Sequence, residues 1–333
     1  MLQAFCLLLQ VALAPPSPCV LGISRHGDDM DLPQKAAIFG VTGFIGRGLP
    51  RLLAAQDIAT TGFSRRATGH VDGVSAWRGV DPIDLSGHSM VINLAGESIA
   101  RRWTESNRRR FHESRVGLTR RLVESIRALP AGERPKVLIN GSAIGIYGDR
   151  SDEVLTEAST LGHGYLADLC REWEDAALEA EALGVRVVLL RTGIVLGRGG
   201  EAFERLLKVF RCGIGGRLGS GKQWMPWIHV DDIRRMIVHA LQAEELHGPI
   251  HGVAPTPERN VDFTRKLASA LHRPAIFPVP GVALKLALGG FGGALLEGQR
   301  ALPQAMQADG FAFECPTLEE ALRELLRSPA SPP

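Results

Sequence analysis

The sequence predicts an α/β fold built on a doubly wound parallel sheet. Stretches with the residue preferences of β-strands alternate with stretches that have the spacing of amphipathic helices, which is typical of parallel sheets. The predicted strands at 90–93, 136–140 and 185–191 are largely apolar, as expected when helices cover both faces of a sheet. An earlier strand ends in a glycine-rich turn that leads straight into a helix.

This glycine-rich turn lies within residues 37–46. Gly43 and Gly46 follow Gly40 at three-residue spacing, and an apolar helix begins near Leu49. A helix N-terminus presents unpaired N–H groups and a partial positive charge, and glycines let the backbone approach a pyrophosphate. The turn therefore predicts dinucleotide binding, with a loop that merely turns the chain as the alternative. The predicted contacts are Gly40, Thr42, Gly43, Phe44, Ile45 and Gly46.

The second predicted strand, 58–63, follows helix 47–56 and indicates which dinucleotide binds. In a NAD-specific site this strand ends in an Asp or Glu that holds the ribose hydroxyls, about 20 residues after the glycines. Here it ends in Ser64, Arg65 and Arg66. Arginines suit a 2′-phosphate, so we predict NADP, in the form of NADPH, as the cofactor. The alternative is that surface arginines simply follow a strand.

The later strands should also end at the cofactor, because the carboxyl ends of strands in a doubly wound sheet line one crevice. A short strand near 74–77 precedes the strand at 90–93. The cofactor contacts predicted at these strand ends are Asn93, Leu94, Ala95, Gly96, Gly141 and Thr192. Ser142 follows a strand end and precedes a glycine-relieved turn, so its hydroxyl is a candidate catalytic group.

Nine arginines crowd residues 101–127. For most of them we predict a solvated pair of helices, the usual role of such a charge run. Arg115 differs, because it falls on or beside the apolar face that includes Phe111 and Val116. It is a candidate for a buried or site-lining charge.

Composition excludes several classes of function. The net charge of +2 over 333 residues gives no global indication of a nucleic-acid or membrane partner. The five cysteines are scattered without metal-ligand spacing, so we predict no metal site and the reduced thiols of a cytoplasmic protein. We expect a monomer or homodimer.

We divide the chain into five segments. Residues 1–34 are predicted to be a disordered or wrongly assigned extension, since Met30 offers an alternative start. Residues 35–197 form the NADP-binding, Rossmann-like domain, with a helix at 164–183. The remaining segments are a substrate lobe with sheet-completing elements at 198–275, a C-terminal helical domain at 276–327 and a tail at 328–333. Within 198–275 we predict a helix at 201–211 and a second helix with Asp231 or Asp232 at its N-terminus.

Several motifs in order resemble the extended short-chain dehydrogenase/reductase superfamily, whose fold is that of NAD(P)-dependent epimerases and dehydratases. The resemblance is to the epimerase-family branch that carries a C-terminal domain of unknown function. The motifs are Gly40-Val-Thr-Gly-Phe-Ile-Gly46, Asn93-Leu-Ala-Gly-Glu97, Ser114-Arg-Val116, Ser142-Ala-Ile-Gly-Ile-Tyr-Gly148, Arg191-Thr-Gly-Ile-Val-Leu-Gly197, Trp227-Ile-His-Val-Asp-Asp232, Leu296-Glu-Gly-Gln299 and Gly310-Phe-Ala-Phe313. The resemblance implies a Rossmann-like domain with a smaller, largely C-terminal α/β substrate lobe.

The resemblance also implies catalysis by a Ser or Thr, a Tyr and a Lys, with the Tyr and Lys four residues apart on one helix. This sequence departs from that pattern. The expected tyrosine falls on Leu166 and the expected lysine on Cys170, while Tyr165 lies one residue early. Ala143 takes the usual serine position, beside Ser142, and Arg115 replaces an asparagine common in the superfamily.

Two functions follow from these observations. The first is an NADP-dependent oxidoreductase or nucleoside-diphosphate-sugar epimerase with a non-standard site and a small polar or anionic substrate. Ser142 would then hydrogen-bond the substrate and Tyr165 would be a displaced acid/base, with Glu97, Arg115 and Tyr147 as further substrate contacts. The alternative for Tyr165 is an ordinary aromatic side chain at the start of a helix. The alternative function is a non-catalytic NADP(H)-binding sensor or scaffold, because a fold can persist after its chemistry is lost.

Overall fold

A seven-stranded parallel sheet forms the centre of the computed structural model, which describes residues 34–66 and 68–327. The strands in chain order are β1 (Lys35–Phe39), β2 (Ala59–Ser64), β3 (Ala76–Gly79), β4 (Met90–Asn93), β5 (Val137–Ala143), β6 (Val154–Leu155), β7 (Arg186–Thr192), β8 (Ile194–Leu196), β9 (Trp224–Met225), β10 (Trp227–His229), β11 (Gly248–Gly252), β12 (Glu258–Arg259) and β13 (Arg300–Ala301). The central sheet has the order β11-β7-β5-β4-β1-β2-β3, and every neighbouring pair in it is parallel.

Helices connect these strands. They are α1 (Leu49–Ala54), α2 (Glu105–His112), α3 (Leu118–Arg127), α4 (Tyr165–Leu178), α5 (Glu201–Arg211), α6 (Val230–Gln242), α7 (Asn260–Ala270), α8 (Gly281–Leu288), α9 (Gly290–Ala294), α10 (Gln304–Ala308) and α11 (Leu318–Arg327). The predicted fold class is confirmed: strands and helices alternate around a doubly wound parallel sheet.

The strand order reverses between β1 and β4, and this reversal positions the site. From β1 the chain runs outward through β2 and β3, and it then returns to place β4 on the other side of β1. Ligands of such sheets bind outside the carboxyl ends of the strands at this switch point. The glycine turn after β1 and the segment after β4 both lie there.

The sheet is covered on both faces, because successive side chains of a strand point in opposite directions. Ala36 and Ile38 of β1 belong to one hydrophobic cluster, with α1 and α6. Ala37 and Phe39 belong to a second, with α3 and the end of α4. Burial on both faces explains why the predicted strands are apolar rather than alternating.

Two helical predictions require correction. The stretch 105–127 is not a pair of helices, because a π-helical turn at Glu113–Gly117 joins α2 directly to α3. The helix after the glycine turn is shorter than 47–56, because a 3₁₀ turn at Gly46–Gly48 precedes α1. Pro50 stands in the first turn of α1, where its missing N–H costs no hydrogen bond.

Asp231 and Asp232 both lie in the first turn of α6, as predicted, although the capping side chain is that of another residue. His229 caps this helix, since its Nδ1 accepts a hydrogen bond from the backbone N–H of Asp231 at 3.2 Å. The carboxylate of Asp232 is fully buried and instead accepts the backbone N–H groups of Glu314 and Cys315, at 2.8 and 2.9 Å. It therefore fixes the C-terminal segment to the start of α6.

The described residues belong to one compact unit, so the predicted segments 35–197, 198–275 and 276–327 are parts of a single body. The segment 198–275 completes the central sheet with β11, as expected. The predictions for 1–33 and 328–333 lie outside the described residues. No helix within the described part of the chain has the length and apolar character needed to cross a membrane.

Candidate functional site

The glycine turn is too tightly packed for side chains at its key positions. Gly40 has φ +80°, and a Cβ atom there would lie 2.9 Å from the carbonyl of Leu94. A Cβ atom on Gly46 would lie 2.3 Å from the oxygen of Gly40. Gly43 donates its N–H to that same oxygen at 2.9 Å. The packing of the turn therefore requires glycine at these positions, which keeps side chains out of a turn expected to bind phosphate.

A cleft of about 1010 Å³ opens beside this turn at the switch point. The predicted residues that line it are Gly40, Thr42, Gly43, Ser64, Arg65, Arg66, Leu94, Ala95, Gly96 and Glu97. The lining also contains residues that sequence reasoning missed, among them Phe39, Phe63, Thr68, Val80, Arg110, Glu113, Ser114 and Arg121. Its volume lies at the upper end of the range for cofactor and ligand sites.

Several predicted cofactor residues are not in this lining. The carbonyl oxygens of Phe44 and Ile45 accept hydrogen bonds from Arg234 at 2.7 and 3.0 Å, so they fix the turn to α6. Gly46 is buried within the turn. Thr192 lies at the end of β7, where its hydroxyl donates to the carbonyl of Leu190 at 3.3 Å.

Four arginines line the cleft, together with the carboxylates of Glu97 and Glu113. Arg65 and Arg66 are exposed after β2, and Arg110 and Arg121 reach the cleft from α2 and α3. Arg121 pairs with Glu113 at 2.5 Å, whereas the other three form no ion pair with any carboxylate in 34–66 or 68–327. Unpaired guanidinium groups at the end of β2 provide the charge and donors that a phosphate monoester needs.

A buried polar network supports the wall of the cleft from behind. The amide of Asn93 donates to Asn140 at 2.7 Å and to the hydroxyl of Thr119 at 3.0 Å. Trp173 donates to the same hydroxyl at 3.0 Å. A Cβ atom on Gly141 would lie 3.0 Å from the Trp173 ring. Asn93 and Gly141 thus position the 94–96 segment and α4 rather than lining the cleft.

Arg115 lies beside the cleft on the π-helical turn. Its Nη2 donates to the carbonyl of Glu97 at 3.0 Å, and its guanidinium carbon lies 5.3 Å from the centre of the Trp173 ring. A Cβ atom on Gly96 would lie 3.0 Å from that guanidinium carbon. Burial lowers the pKa of Arg115, and within the described residues it has no carboxylate in ion-pair contact. Arg115 is therefore the buried charge that was one of the two predicted alternatives, and it contacts the cleft-lining segment at Gly96 and Glu97 without lining the cleft itself.

Tyr165 begins α4 beside Arg115. Its ring lies 5.0 Å from that of Trp103, and the guanidinium of Arg108 lies 4.5 Å from its centre. The hydroxyl is buried and has no hydrogen-bond partner among the described residues. Burial raises the pKa of Tyr165, and the charges of Arg108 and Arg115 partly offset this effect.

Ser142 is part of a second buried network. Its hydroxyl donates to the carboxylate of Glu174 at 2.6 Å, and Arg191 pairs with both oxygens of that carboxylate at 2.9 and 2.8 Å. Arg191 also donates to the hydroxyl of Tyr147 at 2.6 Å, which lies 2.7 Å from Nε2 of His251. The hydroxyl proton of Ser142 is therefore already used in a hydrogen bond to the buried carboxylate of Glu174.

Tyr147 does not reach the cleft, contrary to its expected role as a substrate contact. Its side chain is fully buried, and burial raises its pKa to about 12. The partners that hold it, Arg191 and His251, come from β7 and β11. These elements are distant in sequence, so local sequence reasoning had no signal for them.

The C-terminal segment packs against the loop beside Tyr165. Arg102 donates to the carbonyl of Leu286 in α8 at 2.8 Å. A Cβ atom on Gly290, at the start of α9, would lie 2.4 Å from the ring of Trp103. The predicted C-terminal substrate lobe therefore adjoins the Arg115 and Tyr165 end of the site.

Comparison with known proteins identifies the family. The model of the NAD dependent epimerase/dehydratase family matches residues 36–251, and that of a domain of unknown function, DUF1731, matches residues 279–325. The chain belongs to the NAD dependent epimerase/dehydratase family. The resemblance read from the motifs is thereby confirmed, including the C-terminal domain.

Relatives in this family span almost the whole described chain. The human epimerase family protein SDR39U1 is 35% identical over 298 residues, which cover 88% of this chain and 100% of the human protein. A chloroplastic homolog of it from Arabidopsis thaliana is 38% identical over 304 residues, 87% of this chain and 86% of the plant protein.

Two crystal structures are similar as well. That of human SDR39U1 (isoform 2) with NADPH has a TM-score of 0.80 at 33% identity and covers 87% of this chain and 98% of that one. That of a nucleoside-diphosphate sugar epimerase from Corynebacterium glutamicum has a TM-score of 0.68 at 30% identity, over 88% of this chain and 58% of that one. The predicted cofactor agrees with the NADPH bound to the human protein.

The expected catalytic pair of this epimerase family is replaced by apolar contacts. Leu166 packs 3.5 Å from the position of a Cβ atom on Gly145. Cys170 is buried, which raises the pKa of its thiol to about 12, so it is neither a cation nor an activated nucleophile. No cluster of three or more His, Cys, Asp or Glu side chains suited to a metal occurs among the residues that the structure describes.

Proposed function

We propose that the cleft binds NADPH and that the protein is an NADP-dependent oxidoreductase or epimerase of the short-chain dehydrogenase/reductase type. The observation that carries this proposal is the set of arginines in the cleft lining, of which Arg65, Arg66 and Arg110 have no carboxylate partner among the described residues. The glycine turn would hold the pyrophosphate, because Gly40, Thr42 and Gly43 line the cleft where the chain enters a helix. The NADPH of the human relative supports the same assignment.

The substrate end of the proposed site lies at Arg115. This guanidinium donates to the backbone carbonyls of Glu97 and Phe111, at 3.0 and 3.4 Å, and to no side chain among the described residues. Burying a cation without an anionic partner costs free energy, and a bound anion would offset that cost. We therefore propose a small substrate that presents a carboxylate or phosphate to Arg115.

Tyr165 is the proposed proton donor and acceptor. Tyr165 is not in the lining of the cleft, and its hydroxyl is buried without a partner among the described residues, so a substrate oxygen that reaches it would accept its proton. The nearby Arg108 and Arg115 would stabilise the resulting phenolate. Bound NADPH would supply the hydride. Ser142 would serve only as a hydrogen-bond acceptor, because its own proton is donated to Glu174.

The test is NADPH oxidation with sugar nucleotides, aldehydes and ketones, in matched forms with and without a carboxylate. Arg115→Gln should raise KM about 10- to 100-fold for the carboxylate-bearing member and little for its neutral partner. Tyr165→Phe should lower kcat about 100-fold with KM nearly unchanged. The control is Arg109→Gln, which removes an exposed charge from α2, the helix that leads into the π-helical turn of Arg115. It should change neither KM nor kcat. Equal effects of Arg115→Gln on both substrates would exclude the anion-binding role.

A second candidate is a non-catalytic NADPH-binding sensor or scaffold. The observation that favours it is the occupation of the usual Tyr and Lys positions by Leu166 and Cys170, with the Ser142 proton bound to a structural carboxylate. This candidate predicts that NADPH raises the melting temperature while no member of the substrate panel oxidises it. Any turnover that Tyr165→Phe abolishes would refute it.

A further inference from the structure

Large apolar side chains are unusually exposed on one part of the surface. Ile276, Val282 and Leu286 each have 71% of their surface exposed, Ile214 has 60% and Phe277 has 57%. Helix α8, which carries two of them, has no buried residue. A single exposed apolar side chain is ordinary, whereas a cluster of this kind marks an interaction site. We call these five residues the α8 surface.

The α8 surface is contributed by two segments that pack side by side. A Cβ atom on Gly216 would lie 1.6 Å from the carbonyl oxygen of Phe277, so the two backbones touch there. Leu218 and Val279 form a parallel β-bridge two residues further on. Ile214 therefore lies close to the segment that leads from Phe277 into α8.

The same two segments carry only positive charge. Neither 205–230 nor 263–296 contains an Asp or Glu. Arg217 and Arg273 share a groove of about 380 Å³ with Ile276, and Lys285 projects from α8. These three cations are exposed and form no ion pair with a carboxylate of the described residues. The net charge of +2 conceals this surface, because acidic side chains elsewhere balance it.

We propose that the α8 surface docks on an anionic lipid bilayer. Exposed aliphatic side chains enter the interface between headgroups and acyl chains, and neighbouring cations attract anionic headgroups. A second copy of the chain is disfavoured as the occupant, because it would bring the same unpaired cations face to face. Since α8 also contacts the loop at Arg102, the docked surface would adjoin the substrate end of the site.

The full chain is tested by flotation with vesicles of pure phosphatidylcholine and with vesicles containing about 30% phosphatidylglycerol. We expect flotation only with the anionic vesicles, and its loss when salt rises from about 0.05 M to 0.5 M. The double variant Val282→Ser with Leu286→Ser should lower the vesicle partition coefficient at least tenfold. Val154→Ser, which removes an apolar side chain that is 43% exposed outside this surface, is the control and should float like the unmodified protein.

Three results would overturn the proposal. They are the absence of flotation with anionic vesicles, equal flotation with neutral vesicles, and unchanged flotation of the double variant. A dimer in solution that the double variant dissociates, without any vesicle binding, would assign the surface to a second copy instead. Circular dichroism and the melting temperature of both variants establish that they fold, so a negative result is not an effect of unfolding.

Discussion

Replacing Arg65 and Arg66 together by alanine should weaken NADPH binding far more than NADH binding. Both side chains are exposed at the end of β2 and line the cleft, and neither has a carboxylate to release among the described residues. A hydrogen bond to a charged group contributes about 1.5–3 kcal/mol, and the lower figure applies to exposed groups. Two such contacts amount to about 3 kcal/mol, a factor of roughly 150 in Kd.

The loss should be somewhat smaller than this limit, because Arg110 also lines the cleft and keeps part of the positive charge. We expect the Kd of NADPH to rise about 30- to 150-fold and that of NADH to change less than about threefold. Fluorescence titration at constant ionic strength measures both constants. The variant Arg51→Ala with Arg211→Ala removes the same charge from exposed positions outside this cleft lining and should leave both constants unchanged. Equal losses for the two cofactors would refute the assignment of the 2′-phosphate to these arginines.

Other predictions address the turn, the buried ion pair and the pH dependence of stability. Gly46→Ala should lower the free energy of unfolding by about 1–3 kcal/mol and weaken NADPH binding, because the new Cβ atom would lie 2.3 Å from a backbone oxygen. The control is Gly132→Ala, which has open space around it and should leave the free energy of unfolding in urea unchanged. Arg191→Met should lower the free energy of unfolding by about 3–5 kcal/mol, because the carboxylate of Glu174 would stay buried without its partner; a loss below about 1 kcal/mol would contradict this account. Burial lowers the pKa of His251, so the unfolded chain binds a proton at this residue more readily than the folded chain does. The free energy of unfolding should therefore be retained above the unfolded-state pKa near 6.5 and fall as pH is lowered, by up to about 1.4 kcal/mol per pH unit for this group. His251→Asn should flatten the dependence of urea stability between about pH 6.5 and 5, and an unchanged slope would show that His251 does not titrate on unfolding.

The sheet and the glycine turn could be predicted because their signals are local. An apolar run, a glycine at its end and a helical pattern soon after it together predict a tight turn. The structure has this turn, with Gly40 at φ +80°. The pair Arg65 and Arg66 could be found for the same reason, since their place at the end of a strand fixes them at the crevice. These inferences need no knowledge of contacts that are distant in sequence.

The rest of the site depends on contacts that the sequence does not reveal. The charge run predicts a solvated helical surface for Arg110 and Arg121, because the face that meets the cleft depends on how the helix is rotated across its π-helical turn. Ser142 and Tyr147 carry suitable hydroxyl groups, but partners from distant elements direct them into a buried network. Only the packed structure distinguishes a hydroxyl in a cleft from one in a core.

The most direct test of the central claim is an equilibrium titration of the unmodified protein with NADPH and with NADH under identical conditions. The unpaired arginines of the cleft lining predict saturable binding of one NADPH per chain, at least about tenfold tighter than that of NADH. Binding that does not saturate, or equal affinity for the two dinucleotides, would contradict the assignment of the cleft as an NADPH site.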